Sequence, residues 1–353
     1  MKSILLTGGA GFIGSHICLE LLLNGYKVFV LDSFKNSSRK SLDRVLGICK
    51  NKKAASDFGN QLKIFEGDLK DKDFVEDVFI NIYKFHMQID GVIHLAGLKS
   101  VSESIRYPLN YWENNVLGTI NLLKIINKYK CNNFVFSSSA TVYSQTEESI
   151  LTEKSNISPI NPYGNTKFVI EKLIDDMYKS PKNKIKFASL RYFNPIGAHS
   201  SGLLGENPVD IPNNIFPLIT NTAMGIQEVF KIYGNDWPTK DGTPIRDYIH
   251  IMDLAEAHVK VLEYLFDNES LNIILNIGTG LGTSVLELIN TFELVNNVKV
   301  PYVFSQRRNG DAAYVVADNS LSKSQMNISC KRTIEDMCKD GWVWKKLNPH
   351  GYK

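Results

Sequence analysis

The sequence predicts an α/β fold in which a doubly wound parallel sheet is followed by a smaller α/β domain at the C-terminal end. Two observations support this fold class. Short apolar runs alternate with amphipathic stretches over the first two-thirds of the chain, and the composition changes after residue 192. Unbroken apolar runs are typical of strands covered on both faces, and strand–helix–strand repetition favours parallel pairing with right-handed crossovers.

The predicted strands of the first part are short and continuously apolar. They are Ser3–Thr7, Lys27–Asp32, Leu62–Glu66, Gly91–Leu95, Asn133–Ser138 and Lys186–Arg191. The amphipathic stretches between them predict helices over Gly14–Asn24, Lys72–Tyr83 and Asn115–Tyr129. Residues 40–60 are polar and have no clear strand pattern, which predicts a helix and a surface excursion.

The second part of the chain predicts a separate domain. Residues 194–217 are rich in glycine, proline and asparagine, a composition that favours loops. The late apolar run Asn272–Ile277 predicts a strand that rejoins the first sheet. We therefore expect one domain over residues 1–190, rejoined by a segment near 248–280, and a smaller, loop-rich domain over residues 191–353.

Composition and charge exclude several classes of protein. The chain has 353 residues, of which 43% are hydrophobic and 22% charged, and this mix excludes a disordered or fibrous chain. The net charge is only +3, so no overall field favours nucleic acid or an anionic membrane as a partner. An anionic ligand would instead need a few well-placed donors.

The cysteines and the first residues favour a cytoplasmic protein. The five cysteines are widely spaced and form no C-x-x-C pair, which is typical of free thiols in a reducing compartment. The histidines form no metal-binding motif, so we expect no metal site. Glycines at positions 8, 9, 11 and 14 interrupt the first apolar run too early for a signal peptide, and no run is long enough to span a membrane.

A glycine-rich turn follows the first predicted strand and opens the first predicted helix. Gly8, Gly11 and Gly14 form a G-x-x-G-x-x-G pattern, and Asp32 ends the second strand 18 residues after Gly14. Such a turn lets backbone amides approach a diphosphate, while the carboxylate accepts from ribose hydroxyls and repels a 2′-phosphate. The pattern predicts a Rossmann-like site for NAD. A tight turn that binds nothing is the alternative.

A second candidate site lies around Tyr163 and Lys167, which share one helix face at positions i and i+4. A phenol that acts as a base near pH 7 needs its pKa lowered by about three units, and a cation about 4 Å away supplies that shift at an effective dielectric constant of about 20. Residues 137–139 are three serines at the carboxyl end of the fifth strand, where open α/β sheets bind ligands. An exposed Tyr–Lys pair beside a serine-rich loop is the alternative.

These stretches together resemble the extended short-chain dehydrogenase/reductase superfamily and, within it, the UDP-glucose 4-epimerase (UDP-galactose 4-epimerase) family. The resemblance extends almost from end to end of the chain. The matching stretches are TGGAGFIGSH (7–16), VIHLAGLKSVSES (92–104), YWENNVLGT (111–119), FSSSATVY (136–143), YGNTK (163–167), RYFNPIGAH (191–199), IPNNIFP (211–217), IYGNDWPTKDGTPIRDYIHIMDLA (232–255), RRNGD (307–311) and WVWKKLNPHGY (342–352). The stretches 232–255 and 342–352 are the most specific.

The resemblance implies a tightly held NAD in the first domain and a UDP-hexose in the second. The residues that it assigns to the cofactor are Gly8, Gly11, Phe12, Ile13, Gly14, Asp32, Asn36, Asp68, Leu69, Leu95, Ala96, Gly97, Lys99, Asn114, Ser139, Tyr163, Lys167 and Phe193. The residues that it assigns to the substrate are Lys99, Ser139, Asn194, Asn213, Asn214, Ile215, Lys231, Ile232, Tyr233, Arg246, Arg308, Asp311 and Val315. Leu95 departs from the family, which often has an aromatic residue there. For Arg246 and Arg308, which can fork onto phosphate oxygens, surface ion pairing is the alternative.

The resemblance also implies an isomerase reaction with three catalytic residues. Tyr163 as a phenolate, supported by Lys167 and Ser139, would take the proton of the sugar 4-hydroxyl while the C4 hydride passes to the nicotinamide. The 4-keto sugar would turn in the site and receive the hydride and the proton on its other face. UDP-galactose and UDP-glucose would then interconvert without net redox change.

Related activities remain as alternatives. Dehydratases that act at C4 and C6 carry a carboxylate just after the serine or threonine of the fifth strand, whereas Ala140 and Thr141 follow Ser139 here. UDP-glucuronate epimerases and decarboxylases fit the stretches 232–255 and 342–352 less well. A net oxidoreductase would release NADH, and an NAD-sensing binding protein would lack the tyrosine, lysine or serine.

Two finer expectations follow from the family pattern. Val315 lies four residues after the aspartate of R-R-x-G-D, where a bulky tyrosine restricts the pocket and a small residue leaves room for an N-acetyl group. We therefore expect UDP-N-acetylglucosamine and UDP-N-acetylgalactosamine as further substrates, with Tyr314 filling the space as the alternative. The family is commonly a homodimer, for which Asn115–Tyr129 and Phe168–Tyr178 are the candidate helices.

Overall fold

The computed structural model describes residues 1–52, 57–84, 88–144, 150–208, 212–308 and 310–353. Ile211 and Asn309, which belong to two of the quoted stretches, lie outside the described residues. The chain divides into two compact units. The first unit consists of Met1–Val142, Pro159–Arg191 and Ala255–Leu275, and the second of Tyr143–Ser158, Tyr192–Leu254 and Asn276–Lys353.

The strands are numbered here in chain order. They are β1 (Ser3–Thr7), β2 (Lys27–Asp32), β3 (Leu62–Glu66), β4 (Gly91–His94), β5 (Asn133–Ser139), β6 (Ile150–Leu151), β7 (Lys186–Tyr192), β8 (Asn194–Ile196), β9 (Phe230–Tyr233), β10 (Ile245–His250), β11 (Asn272–Ile277), β12 (Gly282–Ser284), β13 (Tyr302–Ser305) and β14 (Tyr314–Ala317).

The helices surround these strands in the chain. They are α1 (Phe12–Leu23), α2 (Arg39–Lys52), α3 (Phe58–Gln61), α4 (Lys72–Lys84), α5 (Val101–Arg106), α6 (Pro108–Tyr111), α7 (Gly118–Lys128), α8 (Pro162–Lys179), α9 (Ile215–Ala223), α10 (Ile251–Asp267), α11 (Val285–Asn296), α12 (Ser320–Met326) and α13 (Ile334–Leu347). A π-helical turn, Trp112–Leu117, precedes α7, and a 3-10 turn, Ala140–Val142, follows β5.

The first unit is built on one sheet, which over the described residues has seven strands in the order β11-β7-β5-β4-β1-β2-β3. β1 pairs in parallel with both β2 and β4, so the chain leaves β1 in the middle of the sheet and winds outward in both directions. The carboxyl ends of β1, β2, β4 and β5 therefore lie along one edge, which is where ligands bind in open α/β sheets.

Burial explains why these runs are strands and helices. Every residue of β1 and β5 is buried, as expected for strands covered on both faces. In α4, the buried residues Val75, Val78, Phe79 and Ile82 follow helical spacing and join one apolar cluster with Phe29 of β2. Amphipathic helices thus cover the sheet and leave its carboxyl edge to loops.

The second unit has a smaller sheet around β10. β8 and β14 pair with β10 in parallel, β12 pairs with it antiparallel, and β6 pairs with β14. β9 and β13 form a separate parallel pair. The core of this unit contains Phe216, Phe292 and Trp342, whose rings meet edge to face at 5.9 and 5.5 Å. The predicted α/β fold class, with a parallel Rossmann-like sheet and a second sheet after it, is confirmed.

The bounds of the elements differ from the predictions chiefly before α7. The predicted helix Asn115–Tyr129 begins as the π-helical turn and continues as α7. At the junction a Cβ on Gly118 would lie 3.2 Å from the Cβ of Leu69, so the helix approaches its neighbour closely there. A π-helical turn is a local change of pitch that apolar periodicity does not report.

Over the described residues, no helix has the length and apolarity that a membrane span requires. Among the same residues, no group of three or more histidine, cysteine, aspartate or glutamate side chains is arranged to hold a metal ion. All five cysteines are free thiols, and four of them are buried.

Candidate active site

The glycine-rich turn between β1 and α1 excludes side chains at both of its ends. Gly8 has a φ of +70°, and a Cβ there would lie 2.8 Å from the amide nitrogen of Ala96. A Cβ on Gly14 would lie 2.1 Å from the carbonyl oxygen of Gly8. Both contacts are with backbone atoms, which cannot move aside, so the turn and the first turn of α1 touch directly.

The start of α1 is open to a ligand. Gly11 occupies the N-cap position and has no side chain with which to cap the helix, and Phe12 and Ile13 are the first helical residues. The first amides of a helix have no partner within the helix and point along its axis, where the helix dipole favours negative charge. This end of α1 therefore suits a diphosphate group.

The Asp32 carboxylate at the end of β2 connects this turn to the next loop. Its Oδ2 accepts from the Ala10 amide at 2.9 Å, and its Oδ1 accepts from the Phe34 amide at 2.9 Å and from Ser37 Oγ at 2.8 Å. Phe34 has a φ of +54°, a costly conformation for a bulky residue. An ionised carboxylate offers about four acceptor positions, so Asp32 can hold the loop and also accept from a ribose hydroxyl.

Three further predicted cofactor residues follow β2 and β3. Asn36 is exposed, and Leu69 is buried. Asp68 accepts from Lys35 Nζ at 2.7 Å and from the Lys70 amide at 3.0 Å. Burial raises the pKa of Asp68, but these hydrogen bonds outweigh burial and hold the pKa below its usual range. Asp68 is therefore anionic at neutral pH.

Residues 95–99 form the loop after β4. The amides of Leu95 and Ala96 bond to Thr7, to its carbonyl oxygen at 3.2 Å and to its Oγ1 at 3.3 Å, which holds the start of the loop against the end of β1. Gly97 and Lys99 are exposed. The loop thus begins beside the glycine turn and presents its later residues to solvent.

Sequence reasoning chose Asn114 and missed its neighbour. Asn114 Nδ2 donates to the Asn110 carbonyl on its own helix at 2.7 Å. Asn115 is buried, and its Oδ1 accepts from the Leu98 amide at 2.8 Å while its Nδ2 donates to Thr166 Oγ1 at 3.1 Å. Asn115 therefore ties the loop after β4 to α8. Adjacent asparagines in a sequence carry no signal that tells which of them is buried.

Tyr163 and Lys167 lie in the first turns of α8. Asn161 Oδ1 caps this helix by accepting from the Gly164 amide at 2.8 Å, and Pro162 occupies the first helical position. Lys167 is buried and its Nζ donates to the Ser137 carbonyl at 2.7 Å. The same Nζ lies 5.8 Å from the centre of the Tyr163 ring. The predicted pair is therefore on one helix face and attached to the end of β5.

The Ser139 hydroxyl is oriented by its neighbour. Ser139 Oγ accepts from the Thr141 amide at 3.2 Å and from Thr141 Oγ1 at 3.0 Å. Its own proton therefore points away from Thr141, and the Ser139 hydroxyl acts to lower the pKa of Tyr163. Thr141, which sequence reasoning treated only as a missing carboxylate, thus orients the Ser139 hydroxyl.

The pKa values of Tyr163 and Lys167 depend on more than the direct charge effect that the sequence predicts. Burial raises the pKa of Tyr163, and the hydrogen bond with Ser139 opposes the rise. Burial lowers the pKa of Lys167 to about 8, while the Glu171 carboxylate acts to raise it. The sequence suggested an ammonium that lowers the phenol pKa directly. In the structure the ammonium bonds to the Ser137 carbonyl, and burial dominates because it disfavours the charged form of each group.

In the second unit, two predicted substrate residues lie together. Arg246 on β10 donates from Nη1 to the Ile245 carbonyl at 2.8 Å and to the Ala312 carbonyl at 2.9 Å. Its Nη2 lies 3.4 Å from Asp311 Oδ1. The side chain is 15% exposed, so a partly buried guanidinium is held in place and keeps donors for an anionic ligand.

Two consecutive arginines, Arg307 and Arg308, each stack on an aromatic ring. The Arg308 guanidinium carbon lies 3.8 Å from the centre of the Tyr233 ring. The Arg307 guanidinium carbon lies 4.1 Å from the Trp237 ring, and its Nε donates to Asp236 Oδ1 at 2.7 Å. Such stacking restricts the conformations of the long arginine side chain, and the face of the ring attracts the positively charged guanidinium. The predicted residues Tyr233 and Arg308 thus form one stacked pair, and Arg307 forms a second with Trp237.

The other predicted residues of this unit occupy three short segments. Phe193 is buried and Asn194 begins β8. Asn213 and Asn214 are exposed before α9, of which Ile215 is the first residue. On β9, Lys231 is exposed and Ile232 is buried. For these residues the structure gives positions in the fold, and their assignment to the substrate stays a prediction.

Val315 and Tyr314 lie on opposite faces of β14. Val315 is in register with Arg246, and Tyr314 is in register with Ile245 of the same neighbouring strand. Successive residues of a strand face opposite sides of the sheet. The Tyr314 hydroxyl donates to the Pro238 carbonyl at 3.2 Å. The Tyr314 ring therefore does not occupy the face that Val315 shares with Arg246.

Comparison with known proteins gives the family. The family model described as GDP-mannose 4,6 dehydratase matches residues 5–341. The chain is 46% identical over 351 residues to UDP-glucose 4-epimerase 2 of Arabidopsis thaliana, and the alignment covers 99% of this chain and 97% of that relative. It is also 46% identical over 351 residues to the UDP-glucose 4-epimerase of Bacillus subtilis (strain 168), with 99% of both chains covered.

A solved structure agrees over the whole chain. The UDP-glucose-4-epimerase of Stenotrophomonas maltophila, with bound NAD and formylated UDP-arabinopyranose, superposes with a TM-score of 0.92 at 39% identity and covers 99% of both chains. The residues of this chain fit NAD, because the glycine turn leaves room for a diphosphate at the start of α1 and Asp32 stands at the end of β2. The chain belongs to the UDP-glucose 4-epimerase family of the extended short-chain dehydrogenase/reductase superfamily.

Proposed function

We propose that this protein is an NAD-dependent isomerase that interconverts UDP-glucose and UDP-galactose by inverting C4 of the hexose. The observation that carries the proposal is the group formed by Ser139, Tyr163 and Lys167, in which a directed hydroxyl and a buried ammonium flank one phenol. Membership of the family supports the same activity.

Tyr163 acts as the base and then as the acid. It takes the proton of the sugar 4-hydroxyl and returns a proton to the 4-oxygen once the sugar has turned. Ser139 donates to the phenolic oxygen and so stabilises its anionic form, while the Lys167 ammonium lies 5.8 Å from the centre of the same ring. NAD, when bound, supplies the acceptor that takes the C4 hydride and gives it back, so the reaction has no net redox change.

The residues after Ser139 argue against dehydration, the activity after which the matching family model is named. Elimination of water across C5 and C6 needs an acid and a base beside the sugar. Ala140 and Thr141 offer no carboxylate there, and the Thr141 hydroxyl is engaged with Ser139. Positions 140 and 141 therefore favour proton transfer at the 4-oxygen over elimination.

The second unit anchors the nucleotide end of the substrate. Arg246 and Arg308 offer forked donors to diphosphate or ribose oxygens, and Asp311 and Tyr233 hold them in place. An epimerase of this kind needs one end of the substrate held and the hexose left free to turn. Donors that are fixed by their own neighbours meet the first requirement.

The test is turnover without added cofactor. The purified protein is mixed with UDP-galactose and no NAD, and UDP-glucose is measured. We expect equilibration of the two sugars, and we expect Tyr163→Phe to lose most of the rate while retaining bound NAD. Steady formation of a keto or decarboxylated product, or no turnover of either sugar, would reject the proposal in favour of a related NAD-dependent enzyme.

We also propose that the site accepts UDP-N-acetylglucosamine and UDP-N-acetylgalactosamine. Val315 shares a sheet face with Arg246, and Tyr314 faces the other way. A small side chain at position 315 leaves room beside the anchored nucleotide. We expect Val315→Tyr to abolish turnover of the acetylated sugars and to spare UDP-galactose, measured as kcat/KM for both pairs. Absence of acetylated-sugar turnover in the unsubstituted protein would refute this proposal.

We further propose a homodimer formed through the first unit. Most apolar residues of α7 are buried in the core of their own chain, so this helix offers little apolar surface. Several large apolar side chains near the π-helical turn and on α8 are instead exposed. They are Ile105, Leu109, Trp112, Leu117 and Val169. Four of them lie within residues 105–117, and exposed apolar side chains that form a continuous patch mark interaction surfaces.

A cytoplasmic location is the last part of the proposal. The cysteines are free, and burial raises the pKa of Cys131 and of Cys338 to about 12. Buried thiols of high pKa are unreactive and suit a reducing compartment. Fractionation of the native cells would test this location.

A further inference from the structure

Three consecutive serines at the end of β5 contact three residues that are spaced one helical turn apart on α8. Residues i, i+4 and i+8 lie on one helix face, so the strand end and the helix meet along a single line. From the start of the helix, the pairs are Ser139 with Tyr163, Ser137 with Lys167, and Ser138 with Glu171. Two of these helix residues belong to the proposed reaction, and the third, Glu171, has no assigned role.

Glu171 is a buried anion with fixed partners. The Ser138 hydroxyl and Arg191 Nε both donate to its Oε1, Arg191 at 2.9 Å, and Arg191 Nη2 donates to its Oε2 at 2.6 Å. Arg191 lies on β7 and is 1% exposed, while Glu171 is 6% exposed. A forked pair in such surroundings is rigid, and loss of one partner leaves the other charge buried and unpaired.

Few other charges face the ammonium of Lys167. From its own helix it faces Tyr163 and Glu171, and Arg191 lies behind Glu171 on β7. From β4 it faces His94, whose pKa is lowered to about 3 by burial and then by the Lys167 charge, so this ring is neutral. Among the described residues, Glu171 is therefore the anion that acts on Lys167.

We propose that Glu171 is a positioning residue of the reaction, which is held by Arg191 and Ser138 and keeps the Lys167 ammonium charged and aligned behind Tyr163. Glu171 contacts the proposed catalytic residues only through their shared helix and strand, so it acts through Lys167 and not on the sugar. This inference rests on the proposed function and adds a requirement to it, namely a neutral Glu–Arg pair behind the lysine.

The inference predicts shifts of opposite sign for the two charges. The buried Tyr–Lys pair releases its protons in two coupled steps, and the form that has lost one proton is the active one, so the rate follows a bell-shaped pH profile. Glu171→Gln removes a negative charge and moves both limbs to lower pH. For the separation of about 6 Å that is general for residues i and i+4 on a helix, and an effective dielectric constant of about 20, the shift is about one to two pH units. Arg191→Met removes a positive charge and moves both limbs to higher pH.

The experiment measures kcat and kcat/KM for UDP-galactose as a function of pH in a matched set of variants. The set comprises the unsubstituted protein, Glu171→Gln, Arg191→Met, the double variant Glu171→Gln/Arg191→Met, and Glu171→Asp. We expect opposite shifts in the two charge-removing variants and limbs near their original positions in the double variant and in Glu171→Asp. A rate that falls at every pH while the limbs stay in place shows a merely structural role and overturns the inference.

A second comparison and a second measurement keep the test decisive. If Glu171→Gln does not fold, the pH profiles of Arg191→Met and of the neutral double variant are compared, because the inference predicts different limb positions for them. The second measurement is the tyrosinate absorbance titration, taken as the difference between each protein and its Tyr163→Phe counterpart. This titration needs no turnover, so it separates failure of the epimerase proposal from failure of this inference. Coincident titrations of Glu171→Gln and the unsubstituted protein would overturn it.

Discussion

Asp32 shows how a single side chain serves the fold and the candidate site together. Its two carboxylate oxygens accept three hydrogen bonds from the glycine turn and from the loop after β2. The same carboxylate stands where an adenosine ribose is expected. The carboxylate accepts from the amide of Phe34, which has an unusual conformation, and we predict that its charge also discriminates between cofactors.

At the residue scale we predict that Asp32→Asn lowers NAD affinity and weakens the preference for NAD over NADP. One charge-assisted hydrogen bond contributes about 1.5–3 kcal/mol, so the loss for NAD is about tenfold or more. Equilibrium titrations with both cofactors measure the ratio. Ser37→Ala is the control, since it removes one donor to Asp32 and keeps the charge. An unchanged NAD/NADP ratio in Asp32→Asn would contradict the prediction.

At the scale of elements, the contact between the glycine turn and α1 depends on missing side chains. Helix propensity alone favours alanine over glycine at Gly14, by about 1 kcal/mol in a helix interior. The close approach of the Gly8 carbonyl opposes this preference. Helix α1 therefore has glycine at position 14, although glycine is a weaker helix former than alanine, and the backbone of the turn stays open to a diphosphate.

We predict opposite signs for two Gly→Ala substitutions in helices. Gly14→Ala destabilises the protein by about 1–3 kcal/mol through overpacking and reduces bound NAD, because its Cβ would meet backbone at 2.1 Å. Gly47→Ala in α2 has open space within 4 Å and raises stability by about 0.5–1 kcal/mol. Denaturant unfolding and the NAD content of the purified variants measure both effects. Stability that is unchanged in Gly14→Ala would contradict the prediction.

At the scale of the whole molecule, a net charge of +3 is compatible with two diphosphate ligands because each unit has its own donors. In the first unit, these are the backbone amides at the start of α1. In the second, the proposed donors are Arg246 and Arg308, which are held by Asp311 and Tyr233. Placed donors therefore replace a large overall field.

The proposed dimer gives the prediction at this scale. Leu109 is 74% exposed near the π-helical turn, and Leu109→Asp places a charge in the proposed interface. We expect a shift from dimer to monomer in sedimentation at micromolar concentration. Leu294→Asp is the matched control, since Leu294 is 83% exposed on α11 of the second unit, and it should leave the dimer intact. A Leu109→Asp protein that stays dimeric would argue against this interface.

The strands and the main motifs were predictable because their signals are local. Strand β2 has the predicted bounds, since a run of buried apolar residues on both faces leaves an unbroken pattern. The cap at Asn161 and the proline after it place Tyr163 at the start of a helix. The π-helical turn could not be predicted, because apolar periodicity does not report a local change of pitch, and the role of Asn115 could not, because its partners lie 17 and 51 residues away in the chain.

Local sequence was enough to establish the fold class, the glycine turn, the Tyr–Lys spacing and, by resemblance, the family. These features depend on neighbours within a few residues, which the order of amino acids contains directly. Only the tertiary structure showed that Asn115 ties the loop after β4 to α8 and that Glu171 pairs with Arg191 behind Lys167. Such contacts join distant segments, and burial, which sets the charge states of the pair, exists only after those segments have come together.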